Sequence, residues 1–493
     1  MKRPQQRQPE APQPVGACSE TKPSTGNRQR AGPAVGMLLP LGVWVWGAFL
    51  GLALWKFGNP VIMEGHVPWP GDGFEWLLSP WPILLGYALV LLTLVVSLTA
   101  WPGRPGWQPV GLVVLPGFWL LWQGLSALGT VDPVLSGWTL PHFAVTTACF
   151  YAGFKLLGGR DTLRGLWVGV IVGLLGVQLY GVDQRFRGLP ETRAFLLEHE
   201  ATHWQNFPAQ ERARWECSGV LIRTPEGWRA HPALLEKARS QRISSTLFYP
   251  NTLAGALLLF VPPALWAIAT TPLLTWAARL FTGLWVGGGA LACLYWSGSR
   301  SGWLVGLCLA LAAFGAWPGP RATKVAVLTL LAVTGLTVFA VRHASFFQRG
   351  APSVAARIDY WEAAWRTARE HPWLGTGPGT FQRPYERLKR PESEMARLTH
   401  NDYLQQASDS GWPAALAYAG LVWGSLLWVG RRVWRRPASE EFFVWLGLLG
   451  WALQSWVEFH LYIPALAWPA FLFLGWLLAR SSGKGSTSAP ARA

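Results

Sequence analysis

Apolar residues run along this chain in long blocks. The blocks recur near 36–55, 77–99, 108–128, 134–157, 163–180, 246–268, 272–295, 302–317, 323–341, 412–430, 441–458 and 461–479. Each approaches the roughly 20 residues that carry an α-helix across a hydrocarbon core. Several contain Gly or Pro, which membrane helices tolerate because their neighbours satisfy the freed backbone groups. The predicted fold class is all-α: a polytopic membrane helix bundle of about 12 transmembrane helices. The last two blocks lie close enough together to form a re-entrant pair.

Composition supports this picture. The chain is 51% hydrophobic and 14% charged, against roughly 25% charged for a soluble domain. That excludes a water-soluble enzyme and an intrinsically disordered chain. Its 33 tryptophans fit a membrane protein, because an apolar ring with one N–H gathers at bilayer interfaces. The net charge of +16 matches a basic nucleic-acid binder in sign, but not with this apolarity. No nucleic acid is expected as a partner; membrane lipids are. Cysteines at 18, 149, 217, 293 and 308 are scattered without a CxxC pair, so no disulfide framework is expected. Val15-Gly16-Ala17 before Cys18 resembles a lipidation box, but no apolar stretch precedes it.

The blocks divide the chain. Residues 1–34 are rich in Pro, Gln, Arg, Gly and Ser and read as a disordered basic cytoplasmic tail; 480–493 reads the same way. Neither reads as a cleavable signal peptide. Between them lie transmembrane helices 1–5 over 35–180, a first long extracytoplasmic loop over 181–245, and helices 6–9 over 246–341. A second long loop over 342–411 and helices 10–12 over 412–479 complete the order. Orientation follows from basic residues in short connections. Arg431, Arg432, Arg435 and Arg436 give the strongest cytoplasmic signal, joined by Lys155, Arg160, Arg164, Arg321, Lys324 and Arg104. Alternation through twelve spans puts all of them on one side, with both termini. The chain is therefore expected to cross a membrane many times, with both termini on the cytoplasmic side. Both long loops hold arginines, against the positive-inside tendency. They also hold carboxylates, and at about 60 residues they reach the length where that tendency stops counting.

Within the second loop, Ile358, Trp361, Trp365 and Ala368 form an apolar stripe on a predicted helix over 354–370. His371-Pro372 and the run Gly375-Thr376-Gly377-Pro378-Gly379 then break it. That run reads as a turn, since no Lys-Ser/Thr follows to make a phosphate cradle.

Polar groups inside a bilayer are costly, so their positions inform. His142, Gln123, Gln178 and Gln454 fall inside apolar blocks and read as helix-to-helix hydrogen bonds. Ionisable residues gather instead at the outer ends of spans. Arg242 precedes the sixth block, followed by Ser244, Ser245 and Asn251. Arg300 lies in the outer turn Ser297-Gly298-Ser299-Arg300-Ser301-Gly302. His400 closes the second loop with Asn401 and Asp402. Glu458 and His460 lie in the last turn. Guanidinium forks suit diphosphate oxygens, and at the mouth of an apolar bundle their field is poorly screened. A histidine takes a proton from a sugar hydroxyl near neutral pH. Diphosphate is already a good leaving group, so arginines can take the place of a metal. Singly, each group has an ordinary role: arginine as interface anchor, loop histidine as cap, Arg357, Arg366 and Arg369 as the wet face of a helix. The set carries the argument.

These residues resemble the O-antigen ligase and O-antigen polymerase superfamily. Arg242-Ile-Ser-Ser-Thr-Leu-Phe-Tyr-Pro-Asn251-Thr-Leu-Ala-Gly255 is similar to its R…G-T-F-x-N-P-N-x-L-A-G stretch, and Ser299-Arg300-Ser-Gly-Trp-Leu304 to S-R-x-x-x-L. Arg357 through Phe381 resembles the stretch leading to P-L-x-G-x-G-x-G-x-F. Thr399-His400-Asn401-Asp402-Tyr403-Leu404-Gln405 with Gly411 resembles H-N-x-Y-L-Q…G. The matches run in order over roughly 240–465. The resemblance implies metal-independent, cofactor-free, inverting transfer of a glycan from a polyprenyl diphosphate to a glycan, lipid or protein acceptor outside the cytoplasmic membrane. It implies that Arg242, Arg300 and Arg357 hold the diphosphate and that His400 activates the acceptor. Glu458 stands where many members have Asp. Asn251, Asn401 and Tyr403 are further candidates. The first long loop is larger than the family leads one to expect and is a candidate for shaping acceptor choice. Ligase and polymerase stay open alternatives. So does a non-catalytic polysaccharide transporter or flippase, although charges here avoid the bilayer midplane where transporters place them. A non-catalytic subunit that binds lipid-linked sugar is a further alternative.

Overall fold

A computed structural model describes residues 33–98, 109–158, 163–217, 219–348, 352–391 and 393–481. Cys18, Arg104, Arg160 and nearly all of the two predicted tails lie outside the described residues. In order, the elements are α1 (Pro33–Lys56), α2 (Gly73–Leu78), α3 (Ile83–Leu98), α4 (Val110–Ala127), α5 (Pro133–Ala152), α6 (Arg164–Asp183), α7 (Leu189–Ala201), α8 (Ala209–Cys217), β1 (Leu221–Thr224), β2 (Gly227–Ala230) and α9 (Pro232–Ser240). Then follow α10 (Pro250–Thr270), α11 (Trp276–Ser297), α12 (Arg300–Ala316), α13 (Arg321–Gln348), α14 (Pro352–Glu370), α15 (Gln382–Leu388), α16 (Asp402–Val433), α17 (Glu440–Gln454) and α18 (Pro464–Ser481).

A helix occupies every apolar block of the sequence. Among the described residues, six helical stretches are long and apolar enough to cross a membrane: Val110–Ala127, Arg164–Ala201, Pro250–Thr270, Trp276–Ser297, Arg321–Phe346 and Asp402–Val433. The centre of the bundle is α18, apolar all round and buried on every side, as a helix enclosed by other helices must be. It packs on α5, α1, α16 and α17. Where α1 crosses α6, the backbones touch. A Cβ on Gly169 would come within 2.2 Å of the Gly47 carbonyl carbon, the close approach that small residues permit in lipid.

Polar side chains inside the bundle find partners on neighbouring segments. Gln123 Nε2 donates to Gln406 Oε1 at 2.7 Å, Gln178 Nε2 to the Val286 carbonyl at 2.9 Å, and Gln454 Nε2 to the Asn251 carbonyl at 3.1 Å. His142 Nε2 meets the Leu461 carbonyl at 2.8 Å.

The structure departs from the sequence reading in four places. The first predicted loop starts inside a helix. From Arg164 the chain stays helical to Ala201, through a wide π turn at Gln184–Gly188. The polar sequence there does not end the helix. The same loop holds a β-hairpin, so the fold is not purely α. Leu221 pairs with Ala230, Arg223 with Trp228, and the Arg223 guanidinium stacks 5.0 Å over the Trp228 ring. With α7, α8 and α9 the hairpin encloses its own small core of Leu196, Trp204, Phe207, Leu221, Ala230 and Ala238.

The tenth block is a longer helix than predicted. It begins at Asp402 and is broken at Gly411, whose φ of 80° and ψ of 173° are not helical. The amphipathic stripe on α14 is split: Ile358 and Trp365 are exposed, while Trp361 is half-buried and Ala368 joins a buried face with Tyr360, Ala363, Ala364 and Thr367. Alanines let α14 lie close against α16, a gain that larger side chains would forfeit.

Candidate active site

Four distant segments meet at one carboxylate. Glu458 sits in the turn after α17. Its Oε1 accepts from Arg357 Nη2 and from Asn251 Nδ2, each at 2.6 Å. Its Oε2 stands 3.2 Å from His400 Nδ1. The Glu458 side chain is 2% exposed, whereas Arg357 keeps 18% and His400 26%. The hub is thus enclosed while its partners reach solvent. Burial alone opposes a charge on Glu458, but the neighbouring His400 and then Arg357 outweigh it and hold the pKa down to about 2.

Each arginine is placed by local backbone chemistry. Arg242 precedes α10, and its Nε donates to the Ser297 carbonyl at 2.7 Å, at the end of α11. Its Nη2 donates to Asn251 Oδ1 at 3.0 Å, which joins it to the hub. Burial lowers the Arg242 pKa and Glu458 opposes that effect. Left-handed Gly298 closes α11, and the Ser299 hydroxyl accepts from Gly302 N to start α12 with Arg300 as its first residue. Arg300 Nη2 donates to Ser353 Oγ at 2.9 Å, and its guanidinium lies 3.6 Å over the Phe346 ring. Arg357 also donates to the Ser353 carbonyl at 3.1 Å and the Val457 carbonyl at 3.2 Å. The three guanidiniums therefore form one chain of contacts, Arg242 through Asn251 and Glu458 to Arg357, and through Ser353 to Arg300.

His400 is held between aromatic rings. Tyr360 stacks on it at 5.9 Å and Phe459 meets it edge-on at 4.7 Å. Its backbone is left-handed, φ 52°. If Nδ1–H is donated to Glu458, the neutral ring presents Nε2 as its basic nitrogen. Asn401 caps α16, accepting from Leu404 N at 3.0 Å. The Tyr403 hydroxyl is directed into the bundle, donating to the Ala452 carbonyl at 3.0 Å. The structure thus brings together Arg242, Arg300, Arg357, Asn251, His400 and Glu458. Asn401 and Tyr403 sit beside them in helix-capping and packing contacts.

Ser353, Tyr360 and Phe459 join the site without having been singled out in the sequence. Tyr360 lies one turn beyond Arg357 on the same helix, a spacing that puts both on one face. Phe459 adjoins Glu458. Ser353 carried no signal. Among the described residues, no three His, Cys, Asp or Glu side chains converge as a metal site would need.

A helical membrane-type bundle with an arginine, histidine and carboxylate cluster is the class that this fold and site define. Residues 286–419, which include Arg300, Arg357 and His400, match the family model described as O-antigen ligase. The match makes this region of the chain similar to that family and supports the resemblance to the O-antigen ligase and polymerase superfamily. Arg242, Asn251 and Glu458 lie outside the matched stretch. No curated protein matches the chain.

Proposed function

We propose that this protein is an integral-membrane glycosyltransferase that moves a glycan from a polyprenyl diphosphate to an acceptor hydroxyl on the outer face of a bacterial cytoplasmic membrane. We read all twelve apolar helices as spans with both termini inside, which sets the cluster at the outer ends. The observation that carries the reading is the shared hub: Glu458 bonds both His400 and Arg357. A proton acceptor and a diphosphate clamp are thereby fixed relative to one another. The acceptor O–H gives its proton to His400 Nε2 as its oxygen bonds to the anomeric carbon. The bond from that carbon to the diphosphate oxygen breaks, and the diphosphate leaves with the electron pair among Arg242, Arg300 and Arg357. Attack opposite the leaving group inverts the anomeric centre. Fixed guanidiniums stabilise the charge that develops on the leaving group.

Reconstitution of the full chain in lipid nanodiscs with a polyprenyl-diphosphate glycan tests this. Mass spectrometry of the products identifies the acceptor, and a glycan or a lipid acceptor separates polymerase from ligase. Full transfer by folded Arg300→Ala and His400→Ala variants would overturn the catalytic reading. Cysteine labelling of 181–245 and 352–391 from outside intact cells tests the orientation.

A further inference from the structure

The first two turns of α16 carry buried polar groups where a bundle helix ordinarily carries apolar ones. Asp402, Gln405 and Asp409 are all fully buried, and at i, i+3 and i+7 they share one helical stripe. Each grips the backbone of a different segment. Asp402 Oδ2 accepts from Leu461 N at 3.0 Å, and its own N–H donates to the Ser455 carbonyl at 2.9 Å. These two bonds pin both flanks of the turn that carries Glu458. Gln405 Oε1 accepts from Thr399 N at 2.7 Å, one residue before His400. Its Nε2 donates to Asp409 Oδ2 at 2.9 Å. That carboxylate oxygen also accepts from Gly379 N at 2.9 Å and from the Tyr462 hydroxyl at 3.0 Å.

The contacts fix a direction. The Thr399 N–H can only donate, so the Gln405 amide presents its oxygen there and its NH2 to Asp409 Oδ2. The Thr399 hydroxyl meanwhile donates to the Asn401 carbonyl at 2.8 Å, which clamps the far side of His400. A left-handed backbone at a residue with a Cβ persists only where its surroundings over-determine it, and His400 is bracketed in this way. Burying two carboxylates and an amide is a poor route to mere stability, since well-packed apolar residues serve as well or better.

We propose that Asp402 and Gln405 are positioning residues, with Asp409 as the brace that orients Gln405. Together they hold the His400 and Glu458 loops at the separation at which Nδ1 meets Oε2. The catalytic consequence rests on the glycosyltransferase reading; the positioning itself does not.

The test uses the full chain in nanodiscs, with Gln405→Met, Asp402→Asn and Asp409→Asn. The first readout needs no turnover: carbethoxylation of His400 by diethyl pyrocarbonate, followed by mass spectrometry across pH. In Gln405→Met and Asp402→Asn the rate or the apparent midpoint for His400 shifts at least threefold, with His199 as internal control. The second readout is transfer, in which kcat falls by about ten- to a hundredfold while donor KM stays within twofold. If Gln405→Met does not fold, Asp409→Asn decides by the same threefold criterion. A His400 labelling profile within twofold of wild type in the folded variants overturns the proposal, as does unchanged kcat alongside an active wild type. A wild type without transfer activity refutes the glycosyltransferase reading, and the labelling result alone then supports or overturns the positioning.

Discussion

His400 Nδ1 and Glu458 Oε2 stand 3.2 Å apart, while the opposite oxygen of that carboxylate is held by Arg357 and Asn251. One side chain thereby orients the imidazole and anchors a guanidinium. Glu458→Gln keeps the shape and removes the charge. We expect transfer to fall by about a hundredfold, the usual scale for losing oriented acid–base catalysis. His400→Ala falls at least as far, and the double variant no further than the worse single one, because residues acting as a unit are not additive. Steady-state kcat of the three reconstituted variants checks this; multiplicative losses would separate the two residues functionally.

Arg357 uses all three of its donor nitrogens, on Glu458, Ser353 and Val457. Lysine offers a point charge in place of a fork. Arg357→Lys is expected to raise donor KM about tenfold, or ~1.4 kcal/mol, with a smaller effect on kcat than His400→Ala. Donor titration in nanodiscs measures it. A lysine variant with wild-type KM would remove Arg357 from the clamp.

His460 lies behind the hub, fully buried, and burial pushes its pKa down to about 4 although Glu458 pulls the other way. An unfolded histidine titrates near 6.5. Between pH 6.5 and 4 the unfolded chain therefore binds the extra proton, and stability drops as pH falls across that window. The loss reaches up to about 3 kcal/mol. Glu458, held down to about 2, adds its own loss only below its unfolded value near 4.5. Thermal unfolding in detergent from pH 7 to 4 should show the decline, and His460→Asn should flatten it. An equal slope in that variant would assign the acid sensitivity to other groups.

Gly411 has φ of 80°, and a Cβ there would fall 2.1 Å from the Trp373 carbonyl oxygen. Gly219 has a similar φ of 72° with nothing within 4 Å. Gly411→Ala combines backbone strain with a backbone collision and is expected to cost about 3 kcal/mol or more; Gly219→Ala carries the strain alone, about 1 kcal/mol. Melting temperatures of the two variants give the comparison, and equal shifts would mean that the helix break is not tightly packed.

Hydrophobic length made the helices legible, since a bilayer solvent demands about the same apolar stretch each time. It did not mark where helices end in water. Residues 181–201 and 402–410 stay helical although polar. For the site, charged residues at helix ends were visible because their burial in lipid is costly. Ser353 was silent, and Gln405 was legible only as a letter of the motif around His400, because a serine carbonyl or a glutamine amide acquires its role only from what folds against it. The stripe on α14 marked only one edge of the buried face, because alanine scores low as an apolar anchor yet permits the closest helix contact.

The unbroken helical rod from Arg164 to Ala201 has a mechanical consequence. It carries the small outer core of Trp204 and Leu221 as a rigid arm, so the azimuth of that cap is geared to residue count. An α-helix turns by 100° and advances 1.5 Å with every residue. Deleting one residue from its regular α-helical part, ahead of the wide turn at Gln184–Gly188, would swing the whole cap by about 100°, more than a quarter of a revolution.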